Sequence, residues 1–558
     1  MSHPEIDTNN SSVTPEELAA HSAEFEREIL EVTDGVYVAI GYGIANSVLL
    51  EGSDGIVIVD TLESVEAATP VKKAFDKITS KPLKAIIYTH YHSDHIGGAG
   101  VFADDEEVDI YTHEETVNEI NNVALTSEII FDRSMAMFGT YLSPPVFINS
   151  GIGPYLLLND KTEVDYIPPN KTFSSEKLKI KISDINIELI HTPGETKGQI
   201  AVWLPDKGVL IGADTFYKSF PNLYSIRGTK FRSPSNWADS VEKLRRMRSE
   251  YYVPCHTRPI VGEQKIDEVL SDYRDAIQYL HDQTIREINK GLTPDDLVKV
   301  VKLPKHLADK PYLKEFYGNV EWSIRNMYNG FLGWFDGNTT NLFPLSPKEK
   351  ANHFAKLAGG EKELLLKTRE ALEEGDYQWT LELADQLLHL SNYSSEALKM
   401  KSTALWALGI SQGNANARNY YLTRALEAGG FLEMPTFKGE KSIFLTLDIM
   451  TIFKIMAVNL NPEKSADVYM AAGFRFTDLD DIYSVNVRRG VAIVEPYFLD
   501  TIDIVIICSS MTWKKIIGRY MTPREAFRRG DLKVEGSKIE FYKFLNLFTD
   551  RMFEDSPF

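Results

Sequence analysis

Cysteine is nearly missing from this chain: 558 residues hold two, Cys255 and Cys508. No disulfide framework can be built from them, so stability does not depend on oxidation. Long apolar runs are missing too. A run such as Ile504–Cys508 is far too short to cross a bilayer. The opening residues lead into an acidic, helix-like stretch, Pro15–Glu31, without the apolar core of a signal peptide, and a cytoplasmic location is the simplest expectation. Positive charge is in deficit. A net charge of -20 argues against nucleic acid as the main partner, because phosphate binding needs a basic surface. Hydrophobic and charged fractions of 43% and 25% are those of a soluble globular protein, long enough for two to four domains.

What the chain does have is histidine in one place. Thr89-His90-Tyr91-His92-Ser93-Asp94-His95-Ile96-Gly97-Gly98 follows the apolar run Leu83–Tyr88, which reads as a buried strand. In an extended loop His90 and His92 share a side and can chelate one ion. Asp94 and His95, at the turn into the next helix, can reach a second. Imidazoles with a carboxylate suit zinc or a similar divalent ion, and two such ions can share a bridging hydroxide. The pattern HxHxDH at a strand end resembles the signature of the metallo-β-lactamase fold, whose members usually carry two metals. That resemblance implies an αββα sandwich and says little about substrate.

Taken in order, Val32–Leu50 reads as hairpin strands and Gly55–Thr61 as a strand ending in Asp60. In this fold such an aspartate supports the ligands by hydrogen bonding. Glu114–Ala136 is helical in pattern. Gly139–Pro169 is a long Gly-, Pro- and Asn-rich loop, expected to be a substrate-side flap. The strand Ile185–Ile190 ends in His191-Thr192-Pro193-Gly194-Glu195, where most enzymes of the fold have Thr-Pro-Gly-His. Glu195 is therefore the expected ligand in place of that histidine, with His191 the competing candidate. Val209–Asp214 and Tyr251–His256 are two more strands ending in ligand types. The resemblance then implies His90, His92 and Glu195 on one metal, Asp94, His95 and His256 on the other, and Asp214 shared. Cys255 is expected as a small buried hydrophobe.

Glutamate in place of the third histidine narrows the resemblance to the zinc-dependent alkyl sulfatases. Gly41–Ser47, Asn222–Gly228, Leu280–Thr284 and Gly333–Asn338 are similar to that group as well. Departures exist. Many relatives have Gly-Thr-Glu-Ala-Pro where this chain has Gly194–Gly198, and a glutamate where it has Asp214. A sulfate ester is a tetrahedral monoanion, which a guanidinium fork suits. By resemblance Arg227 is the sulfate clamp, assisted by Asn222 and Tyr224. The expected catalytic residues are Asp94 and Arg227.

Beyond the linker Asn341–Pro347, residues 348–430 resemble a tetratricopeptide-like helix array, which relatives use to form homodimers. The last part resembles a sterol-carrier-type α/β domain with an apolar tunnel that would gather the alkyl tail. The fold expected is thus α/β and multidomain: residues 1–345 catalytic, 346–430 helical and dimerising, 431–558 sterol-carrier-like. The function implied is hydrolysis of alkyl sulfates to alcohol and sulfate, with two Zn2+ or other divalent ions and a water bridging them as nucleophile. No histidine lies between Asp214 and Tyr251 to serve as general acid, which slightly favours carbon–oxygen over sulfur–oxygen cleavage, with both modes known among the relatives it resembles. The rivals are another hydrolase of the fold (lactam, thioester or phosphodiester) and a lipid-binding protein with a vestigial metal site.

Overall fold

The computed structural model describes residues 12–104, 106–390, 392–435 and 441–548. By internal contacts the chain divides into two units. The first holds residues 12–116, 129–165 and 169–435, and the second 117–128, 166–168 and 441–548.

Two sheets face each other in the first unit. One runs in sequence order through β1 (Glu28–Thr33), β2 (Val36–Ile40), β3 (Ser47–Glu51), β4 (Ile56–Val59), β5 (Leu83–Ile87), β6 (Asp109–His113) and β7 (Lys171–Phe173). The other has β8 (Lys177–Ile182), β9 (Ile185–His191), β10 (Ile200–Leu204), β11 (Val209–Ile211), β12 (Tyr251–Val253) and β13 (Ile260–Val261), in the order β13 to β8. Period-2 alternation drives their packing. Val36, Val38 and Ile40 from one sheet meet Ile185, Ile187 and Leu189 from the other in a shared buried core. Helices cover the outer faces. Val65–Phe75 buries Ala67, Ala68, Val71 and Phe75. Glu263–Ile288 buries Ile266, Val269, Leu270, Tyr273, Ile277 and Leu280, a stripe at helical spacing. Pro234–Arg245 starts on a Ser233 cap and seats Trp237, Val241 and Leu244 in the same core. The result is the αββα sandwich expected.

β4 to β7 run parallel, as do β11 and β12. The loops leaving β4, β5, β9, β11 and β12 carry Asp60, His90 to His95, Glu195, Asp214 and His256. Ligand sites of α/β sheets commonly form at such carboxyl ends.

Several elements differ from expectation. The helix read over 114–136 is broken into Glu114–Val123, a 3₁₀ turn at Ala124–Thr126 and Ser127–Met137, and residues 117–128 count with the second unit. The 139–165 segment has no regular structure, yet it is no loose flap: Asn149, Ser150 and Ile152 are buried. Residues 335–350 are by contrast mostly exposed. The helix array comprises Pro347–Ala358, Glu361–Glu374, Tyr377–Leu390, Ser394–Ser411 and Ala415–Ala428.

The second unit is a five-stranded sheet of β14 (Tyr469–Phe476), β15 (Ile482–Arg488), β16 (Val491–Glu495), β17 (Ile504–Cys508) and β18 (Leu532–Glu535), ordered β16-β15-β14-β17-β18. Helices Ile449–Val458, Ser510–Ile517 and Lys538–Leu545 pack on it. Phe453, Phe474, Trp513, Phe541 and Phe544 are buried side by side, with Phe474 centroids 4.8 Å from both Phe453 and Trp513. Among the described residues, no helix is long and apolar enough to cross a membrane.

Candidate metal centre

Asp60 follows β4 at a φ of 59°, the left-handed region that costs a non-glycine residue and clusters at functional sites. Its carboxylate accepts from Thr89 N and Thr89 Oγ1 at 2.8 Å each, from His95 Nδ1 at 2.7 Å and from Cys255 Sγ at 3.1 Å. Cys255 is thus a hydrogen-bond donor as well as the buried residue expected. His90 Nδ1 lies 3.0 Å from Thr89 Oγ1, and His256 Nδ1 lies 2.8 Å from the Ile44 carbonyl. In all three histidines Nδ1 is occupied by an acceptor, so Nε2 is left to face inward. His92 is the reverse. Its Nδ1 stands 2.9 Å from His90 Nε2, and its Nε2 lies 3.1 Å from Arg227 Nη2.

Asp214 sits on a 3₁₀ turn just past β11. Its Oδ2 is 3.3 Å from His256 Nε2, 3.6 Å from His90 Nε2 and 3.7 Å from His95 Nε2. Asp94 Oδ2 is 3.4 Å from His95 Nε2 and 3.5 Å from His256 Nε2. Ligand atoms gather within 4.8 Å in the sets Asp94–His95–His256, His90–His95–Asp214 and His92–Glu195–Asp214. All seven side chains named from the sequence therefore converge, with Asp214 common to two of the sets.

The centre is buried and electrically tense. His95 Nε2, His256 Nε2, Glu195 Oε2 and Asp214 Oδ1 are buried without a hydrogen-bond partner. Polar atoms are rarely left so in a native interior, and four that converge from imidazoles and carboxylates fit a divalent cation. Burial drives His90 down to about 3, helped by the His95 charge. Burial also lowers His92, with Arg227 beside it. For Asp94 burial acts upward, but His95 and His256 outweigh it and hold the carboxyl down at about 2. Asp214 is held well below its ordinary range, burial being overcome by His256, His95 and His90.

Glu195 differs. Burial pushes its carboxyl up to about 7 even though Arg232 opposes the shift. Arg232 Nη1 donates to Glu195 Oε1 at 2.8 Å and to the Asn222 carbonyl at 2.6 Å. Nothing in the sequence announces this pairing, since an arginine just ahead of a helix cap carries no local signal for it. Asn222 is buried with both side-chain polar atoms unpartnered. Arg227 is partly exposed beside His92. Tyr224 is half-buried, and among the described residues no hydrogen bond joins it to the cluster. His191, the competing candidate, stands apart from the ligand sets: its Nε2 lies 2.7 Å from the Lys197 carbonyl, closing the turn that carries Glu195.

Residues 40–256 match the metallo-β-lactamase superfamily, 293–430 the alkyl sulfatase dimerisation family and 438–554 the alkyl sulfatase C-terminal family. A linear primary-alkylsulfatase of Pseudomonas sp. is 37% identical over 529 residues, which cover 91% of this chain and 99% of that protein. An (R)-specific secondary-alkylsulfatase, also from Pseudomonas sp., is 28% identical over 544 residues, covering 94% of this chain and 81% of the relative. The solved structure of the stereoselective inverting sec-alkylsulfatase Pisa1 from Pseudomonas sp. superimposes with a TM-score of 0.88 at 25% identity, over 94% of this chain and 84% of that one. The chain belongs to the alkyl sulfatase family of the metallo-β-lactamase superfamily.

Proposed function

We propose that the chain hydrolyses alkyl sulfate esters to an alcohol and inorganic sulfate at a centre of two divalent cations, zinc in the first instance. The observation that carries this reading is the convergence of seven side chains of metal-ligand type, four of them with buried, unpartnered atoms, in a chain similar over nearly its whole length to alkylsulfatases. His90, His92 and Glu195 would hold one cation, Asp94, His95 and His256 the other, and Asp214 both. Bound there, two cations supply water activation near neutral pH and an offset for the sulfate charge.

The residues themselves do the rest. With Nδ1 of His92 turned to a cation, its Nε2 carries the proton, and the Arg227 guanidinium is free to turn its donors to the sulfate oxygens. The buried Asn222 amide offers a further donor. Arg232 works against the effect of burial on Glu195, because the ion pair partly compensates the desolvated carboxylate. Asp60 holds His95 in the tautomer that presents Nε2. No histidine between Asp214 and Tyr251 can protonate a departing alkoxide, which favours attack at carbon, where sulfate leaves without a proton.

Residues 1–345 would form the catalytic part and 431–558 the C-terminal domain, with 346–430 joining two copies into a homodimer. Large apolar side chains stand exposed near that region, among them Trp334 (71%), Phe343 (95%) and Leu357 (87%), more than a monomer usually leaves in water. Both cysteines are buried and unpaired, which accords with a reducing compartment such as the cytoplasm. Hydrolysis of dodecyl sulfate in ¹⁸O-labelled water tests the reading. Label in dodecanol is expected; label in sulfate would overturn attack at carbon, and the absence of both products would overturn the activity.

A further inference from the structure

One side chain joins the Gly41–Ser47 loop to the largely buried 149–157 segment. Glu63, fully buried, accepts with a single oxygen, Oε1, from Ile44 N at 3.2 Å and from Leu157 N at 2.8 Å. Its other oxygen, Oε2, is buried without a partner, and a Cβ on Gly43 would come within 2.4 Å of it. Burial pushes this carboxyl up to about 7, against the Leu157 N–H that lowers it.

Ile44 is the point on which these contacts meet. Its N–H goes to Glu63 and its carbonyl lies 2.8 Å from His256 Nδ1. Its backbone packs so closely on Gly153 that a Cβ there would fall 2.2 Å from the Ile44 oxygen. Two residues on, Asn46 N donates to the Cys255 carbonyl at 2.6 Å, and Asn46 Nδ2 donates to the Pro254 and Thr257 carbonyls at 3.0 and 2.8 Å. The loop therefore clasps the His256 turn and fixes the ring's tautomer, while Glu63 and Gly153 fix the loop.

We propose that Glu63 is a positioning residue for the cation site of Asp94, His95 and His256, acting through the Ile44 carbonyl that orients the His256 ring. The proposal rests on the two-cation reading above. Hydrogen-bond partners of metal-bound histidines typically change metal affinity 10- to 100-fold when lost; Glu63 stands one step further out, so about 10-fold is expected.

Metal-stripped protein titrated with Co2+ against a chromogenic chelator tests it, with the Co2+ spectrum as a second readout and His256→Ala as reference. Wild type should take up two equivalents. Glu63→Ala should keep one tight equivalent and hold the other about 10-fold more weakly, with a spectral change like that of H256A. Glu63→Gln, which keeps an acceptor for both N–H groups, should restore tight binding. A folded E63A that titrates like wild type would overturn the proposal. Should E63A fail to fold, Glu63→Asp and Gly153→Ala displace the same carbonyl more gently. Weakening of one equivalent in either supports the proposal, and wild-type titration in both overturns it. Failure of wild type itself to bind two ions would strike the two-cation reading instead.

Discussion

Each of His90, His95 and His256 reaches the centre with one ring nitrogen because the other is taken by Thr89, Asp60 or Ile44. The same dependence on a partner makes Arg232 testable. Removing it leaves the Glu195 carboxylate buried and unpaired, at a cost of about 3–5 kcal/mol. Arg232→Ala is therefore expected to lower the denaturant midpoint of metal-stripped protein strongly, and less so once divalent cation is restored to neutralise Glu195. Equal losses with and without metal would contradict this. His21 gives a pH effect. It stacks on Phe316 at 4.1 Å, its Nε2 lies 3.0 Å from the Gly151 carbonyl, and burial lowers it to about 4. The unfolded chain takes up this proton near pH 6.5, whereas the folded chain refuses it until about pH 4. Stability should therefore fall as pH drops through that window, by as much as about 3 kcal/mol from this ring alone. His21→Phe should flatten that limb in urea melts at pH 7, 5.5 and 4.5; an unchanged slope would contradict the assignment. The converging side chains were legible in the sequence because most sit in one hexapeptide or at the ends of apolar strands. Arg232 and Glu63 were not. Arg232 meets Glu195 across 37 positions and Glu63 meets Leu157 across 94, and nothing local at either end announces the pairing.

At the scale of elements, alternation and apolar runs located β2 to β5, β9, β11 and β12, because each of these strands buries one face or both, whereas β6, β7, β8, β10 and β13 were not read and most of β1 fell in a stretch read as helix-like. Helix continuity was harder to read. The 114–136 pattern is unbroken in sequence, but its residues serve two cores: Ile120 and Ala124 pack in the second unit, while Met135 to Met137 are buried in the first. Likewise Lys441–Thr446 and Ile449–Val458 are separate helices, because Asp448 caps the second by accepting from Thr451 N. The 139–165 segment misled through its composition. Gly, Pro and Asn signal irregular backbone, but they do not say whether that backbone is bound, and here Asn149 donates to the Leu18 carbonyl while Glu63 holds Leu157. Limited proteolysis separates a flap from a packed segment. First cuts are expected in the exposed 335–346 stretch, with 149–157 intact; early cleavage within 149–157 would contradict the packing described.

At the scale of the whole molecule, the dimerisation family match and the exposed Phe343 and Leu357 concern the same region. Light scattering should give twice the 63.1 kDa chain mass. Phe343→Asp combined with Leu357→Asp should shift the protein towards a monomer while its circular dichroism stays unchanged, since neither side chain is buried within one chain. A monomeric wild type would contradict the dimer. The acidic net charge of -20 would not oppose the proposed anionic substrate, because its approach would depend on local groups such as the partly exposed Arg227 rather than on a surface average screened within about 10 Å.

The most direct measurement is sulfate release from dodecyl sulfate by metal-stripped protein as Zn2+ is restored in steps, with bound metal measured on each sample. The account predicts no release without metal, and full release only as binding approaches two ions per chain; Glu195→Ala should bind less metal and release little. Undiminished release from fully stripped protein, or two tightly bound ions with no release from any alkyl sulfate, would contradict it.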